Sequence, residues 1–90
     1  PYALGAATPN PMRARTAISY LAPQGERVAL DIFDVAGRVV RRLDLVGTGS
    51  EAFVTWDGRD ESGRSLPAGA YFYRLAQRPG LSAARLIRLP

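Results

Sequence analysis

The chain has 90 residues, and its twelve arginines against eight carboxylates give a net charge of +4 with no lysine and no histidine. This length allows one domain, close to the lower limit for chains that bury a useful core without a disulfide or a metal. Because cysteine and histidine are both absent, the composition excludes disulfides and thiolate or imidazole metal sites, and the missing general base argues against an enzyme.

Residues 1–11 predict a lead-in segment rather than a regular element. Three prolines fall in this stretch, and the one short strand that we expect there lies near residues 2–4. The proline after Asn10 favours extended geometry for that residue, so Pro9-Asn10-Pro11 is predicted to form a stiff corner. We therefore expect one domain with a lead-in segment, 1–11, and a sandwich body, 12–90.

Alternation of side chains with a period of two predicts strands along the rest of the chain. Thr16, Ile18 and Tyr20 share one face of the first such run. Between the next two runs, Asp34-Val35-Ala36-Gly37 predicts a hairpin turn, in which Asp34 accepts backbone N–H bonds and Gly37 takes a positive φ. The predicted strands are 16–21, 28–33, 39–45, 51–56, 71–76 and 81–89.

The longest predicted turn lies between the fourth and fifth of these strands. Asp57-Gly58 and Ser62-Gly63 each supply a residue suited to positive φ, so we expect the loop to reverse in two steps. Asp57, Asp60 and Glu61 suggest a calcium loop, but their spacing is not that of an EF-hand and two arginines lie in the same loop. We therefore predict that the aspartates cap the turn and that the chain has no metal site.

The tryptophan and two tyrosines have the strand parity of their apolar neighbours. This favours burial over a sugar-stacking platform of the kind found in carbohydrate-binding modules, because buried aromatic rings contribute strongly to a small core. The predicted core is Ile18, Tyr20, Val28, Leu30, Ile32, Val54, Trp56, Tyr71, Tyr73 and Leu75.

Six strands, roughly one for every 8 to 12 residues and with turn residues between them, are typical of an all-β sandwich. Pro79-Gly80 marks the turn before the last of them. No segment requires a helix. An α/β arrangement is therefore excluded by the pattern.

Five motifs follow one another along nearly the whole chain. Each of them alone consists mostly of turn chemistry, so their order and spacing carry the signal. They are Pro9-Asn10-Pro11, Thr16-x-Ile18-x-Tyr20-Leu21-x-Pro23, Val28-x-Leu30-x-Ile32-x-Asp34-Val35-x-Gly37-Arg38-x-Val40-x-x-Leu43, Trp56-Asp57-Gly58-x-Asp60-x-x-Gly63 and Gly69-x-Tyr71-Phe72-Tyr73-Arg74-Leu75.

This order of motifs resembles that of the FlgD-like immunoglobulin domains and of the related C-terminal sorting domains of type IX secretion cargo proteins. The resemblance implies an all-β, immunoglobulin-like antiparallel β-sandwich of about seven strands, without catalytic residues or a cofactor. The positions that carry it, most of them structural, are Pro9, Asn10, Pro11, Asp34, Gly37, Trp56, Asp57, Gly58, Asp60, Gly63, Gly69 and Tyr71.

The resemblance also implies a non-catalytic module at the C-terminal end of a secreted or cell-surface protein, which the secretion machinery recognises. An extracellular location follows from this. Sorting members commonly end in a basic strand that contains lysine. Here that place, and with it the candidate recognition strand, is taken by Arg85, Leu86, Ile87, Arg88 and Leu89.

Two other functions remain open. One is a structural building block, either a hook-cap-like module or the subunit of a self-assembling filament, and the other is a carbohydrate-binding accessory module. We expect protein partners, either secretion or surface machinery or other copies of the chain. The arginines are spread over every segment, which argues against nucleic acid, and no stretch has the apolar length of a transmembrane segment.

Three phenylalanines have the strand parity opposite to that of the core residues. Exposed aromatic residues that lie together usually mark a binding site for a partner. We therefore predict that a contact patch is formed by Phe33, Phe53 and Phe72.

Overall fold

The structure, a computed structural model, describes residues 1–78 and 80–90 as an all-β fold. The turn predicted at Pro79-Gly80 includes Pro79, which lies outside the described residues. Within these ranges no helix is long and apolar enough to cross a membrane. The strands are β1 (Ala3–Thr8), β2 (Thr16–Leu21), β3 (Arg27–Phe33), β4 (Val39–Val46), β5 (Ala52–Trp56), β6 (Gly69–Leu75) and β7 (Ala84–Arg88).

The strands form two antiparallel sheets. The first sheet has the order β1-β2-β5, and the second has the order β4-β3-β6-β7. The chain therefore crosses between the sheets after β2, after β4 and after β5. This arrangement confirms the immunoglobulin-like sandwich that the sequence predicted.

The strand β1 is longer than the short strand predicted near residues 2–4, and it belongs to the first sheet. It pairs with β2 of the same chain, and a bulge interrupts the register between Leu4 and Ala7. A bulge moves the following side chains to the other face, and only Ala7 of this strand is buried. Main-chain pairing therefore positions β1, which explains why its sequence lacks a clear alternation.

The core lies between the two sheets around Trp56, which is fully buried. The indole meets the Tyr71 ring edge to face, with the ring centroids 5.8 Å apart. Every predicted core residue is buried except Val54, which is partly buried and packs against the others, so the predicted strand faces are confirmed. The core contains seven further residues, Ala7, Met12, Ala22, Val40, Leu43, Leu45 and Leu86.

The polar atoms of the buried aromatic rings donate hydrogen bonds to backbone carbonyls. Burial of these groups without a partner would be costly, so the bonds allow large rings to fill the core. These hydrogen bonds also hold β1 and the turn between β5 and β6 against the core. The four bonds run from Trp56 Nε1 to Arg59 at 3.1 Å, from Tyr20 to Val46 at 3.0 Å, from Tyr71 to Pro67 at 2.6 Å and from Tyr73 to Gly5 at 2.8 Å.

Both ends of the described chain are tied to the sandwich. The Tyr2 hydroxyl donates a hydrogen bond to Glu26, and the Arg78 guanidinium lies 3.9 Å from the centroid of the Tyr2 ring. At the other end, Arg13 donates a hydrogen bond to the Pro90 carbonyl at 3.0 Å. These contacts keep the terminal residues in place on the sandwich.

We expect Trp56→Ala to lower the free energy of unfolding by about 3–5 kcal/mol, because it leaves a large cavity in the centre of the core. Urea denaturation of the wild type and the variant measures this difference. Trp56→Phe is the matched control, since it keeps an aromatic ring and loses only part of the volume. An unchanged urea midpoint in Trp56→Ala would contradict the central position of this residue.

Alkaline pH is expected to destabilise the fold through its buried tyrosines. Burial raises the pKa of Tyr73 and of Tyr71 above the ordinary value of about 10. The folded state therefore holds these protons more tightly than the unfolded state. Their contribution to the free energy of unfolding is fully present below about pH 10, and it is lost as the pH rises further. Urea midpoints from neutral to strongly alkaline pH measure this loss. The double variant Tyr71→Phe/Tyr73→Phe should show a smaller one, and an equal loss would contradict the assignment.

Candidate functional site

The residues that carry the resemblance gather at one end of the sandwich, which we call the motif end and define as residues 9–15, 34–38, 57–69 and 88–90. Since neighbouring strands are antiparallel, β1, β3, β5 and β7 finish at this end, where β2, β4 and β6 begin. All motif positions lie within these segments except Trp56 and Tyr71, which lie in β5 and β6. The motif positions are Pro9, Asn10, Pro11, Asp34, Gly37, Trp56, Asp57, Gly58, Asp60, Gly63, Gly69 and Tyr71.

The turn between β3 and β4 is held by its first residue. Asp34 Oδ1 accepts hydrogen bonds from the backbone N–H groups of Ala36 and Arg38, each at 3.0 Å. The bond from the Arg38 backbone is the largest cause that lowers the pKa of Asp34 below its ordinary value. Gly37 has a φ of 84°, which a residue with a Cβ rarely adopts. The turn that the sequence predicted is confirmed in its aspartate cap and its glycine.

The central turn between β5 and β6 repeats this device. Asp60 Oδ1 accepts hydrogen bonds from the backbone N–H groups of Ser62 at 2.9 Å and Arg64 at 3.0 Å. Gly58 and Gly63 both have positive φ, at 74° and 83°. The loop therefore reverses in the two steps that the sequence predicted.

The other two carboxylates of the central turn bind β4 and the turn itself. Asp57 Oδ1 accepts a hydrogen bond from Arg41 Nη1 at 3.2 Å, and Glu61 Oε1 accepts one from the Arg42 backbone N–H at 2.8 Å. The Glu61 backbone N–H in turn donates to the carbonyl of Val40 at 3.1 Å. Residues 1–78 and 80–90 contain no group of three or more acidic, histidine or cysteine side chains placed to hold a metal ion.

The outer edge of the candidate recognition strand is already occupied. Asn10 donates through Nδ2 to the Arg85 carbonyl at 3.0 Å and accepts through Oδ1 from the Ile87 N–H at 2.9 Å. The Met12 backbone continues the pairing, because its N–H donates to the Ile87 carbonyl and its carbonyl accepts from the Leu89 N–H, both at 2.8 Å. The Pro-Asn-Pro corner therefore covers β7.

Arg88 joins this last strand to the central turn. Its Nη2 atom donates a hydrogen bond to Ser65 Oγ at 3.1 Å, and its Nε atom is buried without a partner among the described residues. The guanidinium lies against Gly58, where an added Cβ would collide with Arg88 Nε. Gly58 therefore meets two requirements, the positive φ of the turn and the close approach of this arginine.

The five residues of the candidate recognition strand differ in their exposure. Leu86 is fully buried in the core, and Arg85 is exposed. Ile87, Arg88 and Leu89 are half-buried. Of these five side chains, Arg85 is therefore the one that is exposed to a partner.

The predicted patch of three phenylalanines is wrong as a single surface. Phe33 and Phe72 stack on the outer face of the second sheet, with their ring centroids 5.9 Å apart. Phe53 is 64% exposed but lies on β5, so it projects from the outer face of the first sheet. The two faces point away from each other, and strand parity alone does not show to which sheet a strand belongs.

Comparisons with known proteins agree with this architecture. The crystal structure of dimeric latent PorU from Porphyromonas gingivalis is similar to this chain, with a TM-score of 0.82 and 24% sequence identity. The likeness covers 99% of this chain and 9% of that chain, so this chain spans a small part of the length of its structural neighbour. A comparison with curated proteins gave no match.

A protein-family model described as FlgD Ig-like domain matches residues 12–80, which is more than half of the chain. The matched range begins at Met12, which pairs with β7, and includes the two aspartate-capped turns and the buried Trp56. The chain belongs to the FlgD Ig-like domain family.

Proposed function

We propose that this chain is a non-catalytic sorting or cell-surface attachment domain. In this proposal it is a single module, residues 1–90, at the C-terminal end of a larger secreted protein. Secretion machinery recognises the domain and exports the protein to which it is attached. Membership of the FlgD Ig-like domain family and the resemblance to the sorting domains of type IX cargo proteins both support this function.

The single observation that carries the proposal is the way the last strand is held. Asn10 and Met12 bind its outer edge, and Arg88 connects it to the central turn. Two of the motif residues therefore act on the strand that stands in the place of the sorting signal, because Asn10 binds its edge and Gly58 leaves room for Arg88. Such an arrangement suits a domain that acts by being recognised, since it presents a terminal strand in one fixed geometry.

A structural building block is the second candidate. It is favoured by β5, which forms an edge of the first sheet and whose outward backbone groups have no partner among the described residues. An unprotected edge strand is a place where another chain adds by main-chain pairing. Residues 3–8 are not free to pair with the edge of another copy, because β1 already pairs with β2 of its own sheet. A carbohydrate-binding module would need exposed aromatic rings on which a sugar stacks, but Trp56 and its neighbouring tyrosines are buried.

Export of a reporter fused in front of residues 1–90 tests the first candidate. We expect the reporter to accumulate outside the cell in a host with type IX secretion machinery, and to remain inside an isogenic host without it. Light scattering on the purified chain supplies the second arm, in which we expect a monomer. A reporter retained in both hosts, together with large polymers of the purified chain, would reject the sorting domain in favour of the building block.

We expect Asn10→Ala to loosen the outer edge of β7 without unfolding the domain. The variant loses one donor and one acceptor, and partly exposed bonds of this kind contribute about 0.5–1.5 kcal/mol each. Hydrogen exchange is the measurement, and the Ile87 amide should exchange faster than in the wild type. The Leu89 amide, which is bound by the Met12 carbonyl, is an internal control. Unchanged exchange at Ile87 would show that Asn10 does not hold this strand.

A further inference from the structure

The outer face of the second sheet carries a stacked phenylalanine pair beside two arginines. Phe33 and Phe72 are cross-strand partners, and Arg85 lies opposite Phe72 on β7. The Arg74 guanidinium lies over the Phe33 ring, 5.2 Å from its centroid. We call Phe33, Phe72, Arg74 and Arg85 the arginine-phenylalanine surface.

Arg74 lacks a carboxylate partner because the carboxylate opposite it in the sheet is bound elsewhere. Asp31 lies opposite both Arg42 and Arg74 in the sheet register. Its Oδ1 accepts a hydrogen bond from Arg42 Nε at 2.6 Å, and its Oδ2 accepts one from Arg42 Nη2 at 2.9 Å. This bidentate pair uses both oxygens of Asp31. Among the described residues, no carboxylate forms an ion pair with Arg74 or with Arg85.

A partner that contacts β7 in this fold meets side chains rather than a free strand edge. The outward backbone groups of Arg85, Ile87 and Leu89 are already bound by Asn10 and Met12. Addition of a partner strand would first require removal of that segment. On the outer face, in contrast, Arg74 and Arg85 are exposed and the two phenylalanines between them are half-buried.

We propose that the arginine-phenylalanine surface is the docking site for the protein that recognises this domain, and that this partner presents carboxylates around an apolar contact. The proposal rests on the sorting function proposed above and names the surface through which it operates. Arginine and aromatic side chains are enriched at the centres of protein interfaces. A guanidinium without an internal partner binds a carboxylate in a bidentate geometry, so an acidic protein surface complements this one.

Other occupants fit this surface less well. A second copy would bring arginines against arginines, and each chain already carries a net charge of +4. Recognition of anionic lipid takes a cluster of about four to eight basic residues, whereas this surface has two. Nucleic acid requires a basic stripe that follows the phosphates, and here the arginines flank an apolar centre.

Charge reversal in the reporter fusion tests the proposal. We expect Arg74→Glu/Arg85→Glu to reduce export at least about tenfold, because it sets glutamates against the partner's carboxylates that surround the apolar centre of the contact. The matched control is Arg27→Glu/Arg78→Glu, which makes the same change of charge at two exposed positions outside both the motif end and the arginine-phenylalanine surface, and should leave export unchanged. Thermal unfolding of the purified domains must show that both double variants remain folded. A reversal variant that does not fold is replaced by Arg74→Gln/Arg85→Gln, which should also reduce export relative to its own control, Arg27→Gln/Arg78→Gln.

Each remaining outcome overturns the proposal in a different way. Export of the reversal variant at the wild-type level rejects this surface and leaves the sorting function intact. Absence of export from the wild-type fusion rejects both together. If the purified domain sediments with phosphatidylglycerol vesicles and the reversal variant does not, the surface binds a membrane instead. If the purified domain dimerises and the reversal variant does not, the surface binds a second copy.

Discussion

The packing of Trp56 between the two sheets is the interaction on which the rest of the structure depends. The indole ends β5 of the first sheet and meets Tyr71 of β6 in the second, so one contact joins both layers. The Trp56 N–H and the Tyr71 hydroxyl donate to the carbonyls of Arg59 and Pro67, which lie at the two ends of the central turn. Core packing thereby sets the position of this turn, which places Gly58 against the last strand. In a small domain without disulfides, the same aromatic residues supply the core and arrange the motif end.

Much of the fold could be predicted because its strands and turns are encoded locally. The alternation in β2, β3 and β6 was legible because the large apolar residues of each strand share the face that lies in the core. Asp34 likewise forms its bonds within four residues of itself. The strand β1 could be predicted only in part, because a bulge and main-chain pairing replace the pattern of apolar side chains. Met12 shows the same limit, since its burial depends on the distant β7 and not on its neighbours in sequence.

The candidate site was less predictable for a related reason. The Pro-Asn-Pro corner was visible as a stiff local feature, but the bonds of Asn10 reach residues 75 and 77 positions away. Nothing in the spacing of the sequence states which strand that side chain meets. The prediction of a single phenylalanine patch was wrong for a similar reason. Strand parity shows on which face of a strand a side chain lies, but only the strand order shows that Phe53 and Phe33 belong to different sheets.

The way in which Asn10 closes the edge of β7 decides what the last strand presents to other molecules. A side-chain amide offers one donor and one acceptor, so it satisfies the strand as a peptide group would. Pro9 and Pro11 on either side have no backbone N–H, so the covering segment offers fewer donors to another strand than β7 itself would. The terminal strand is thereby held in its sheet, and strand addition at its edge is blocked. What β7 still presents is the outward side of the sheet, where Arg85 stands beside the stacked phenylalanines.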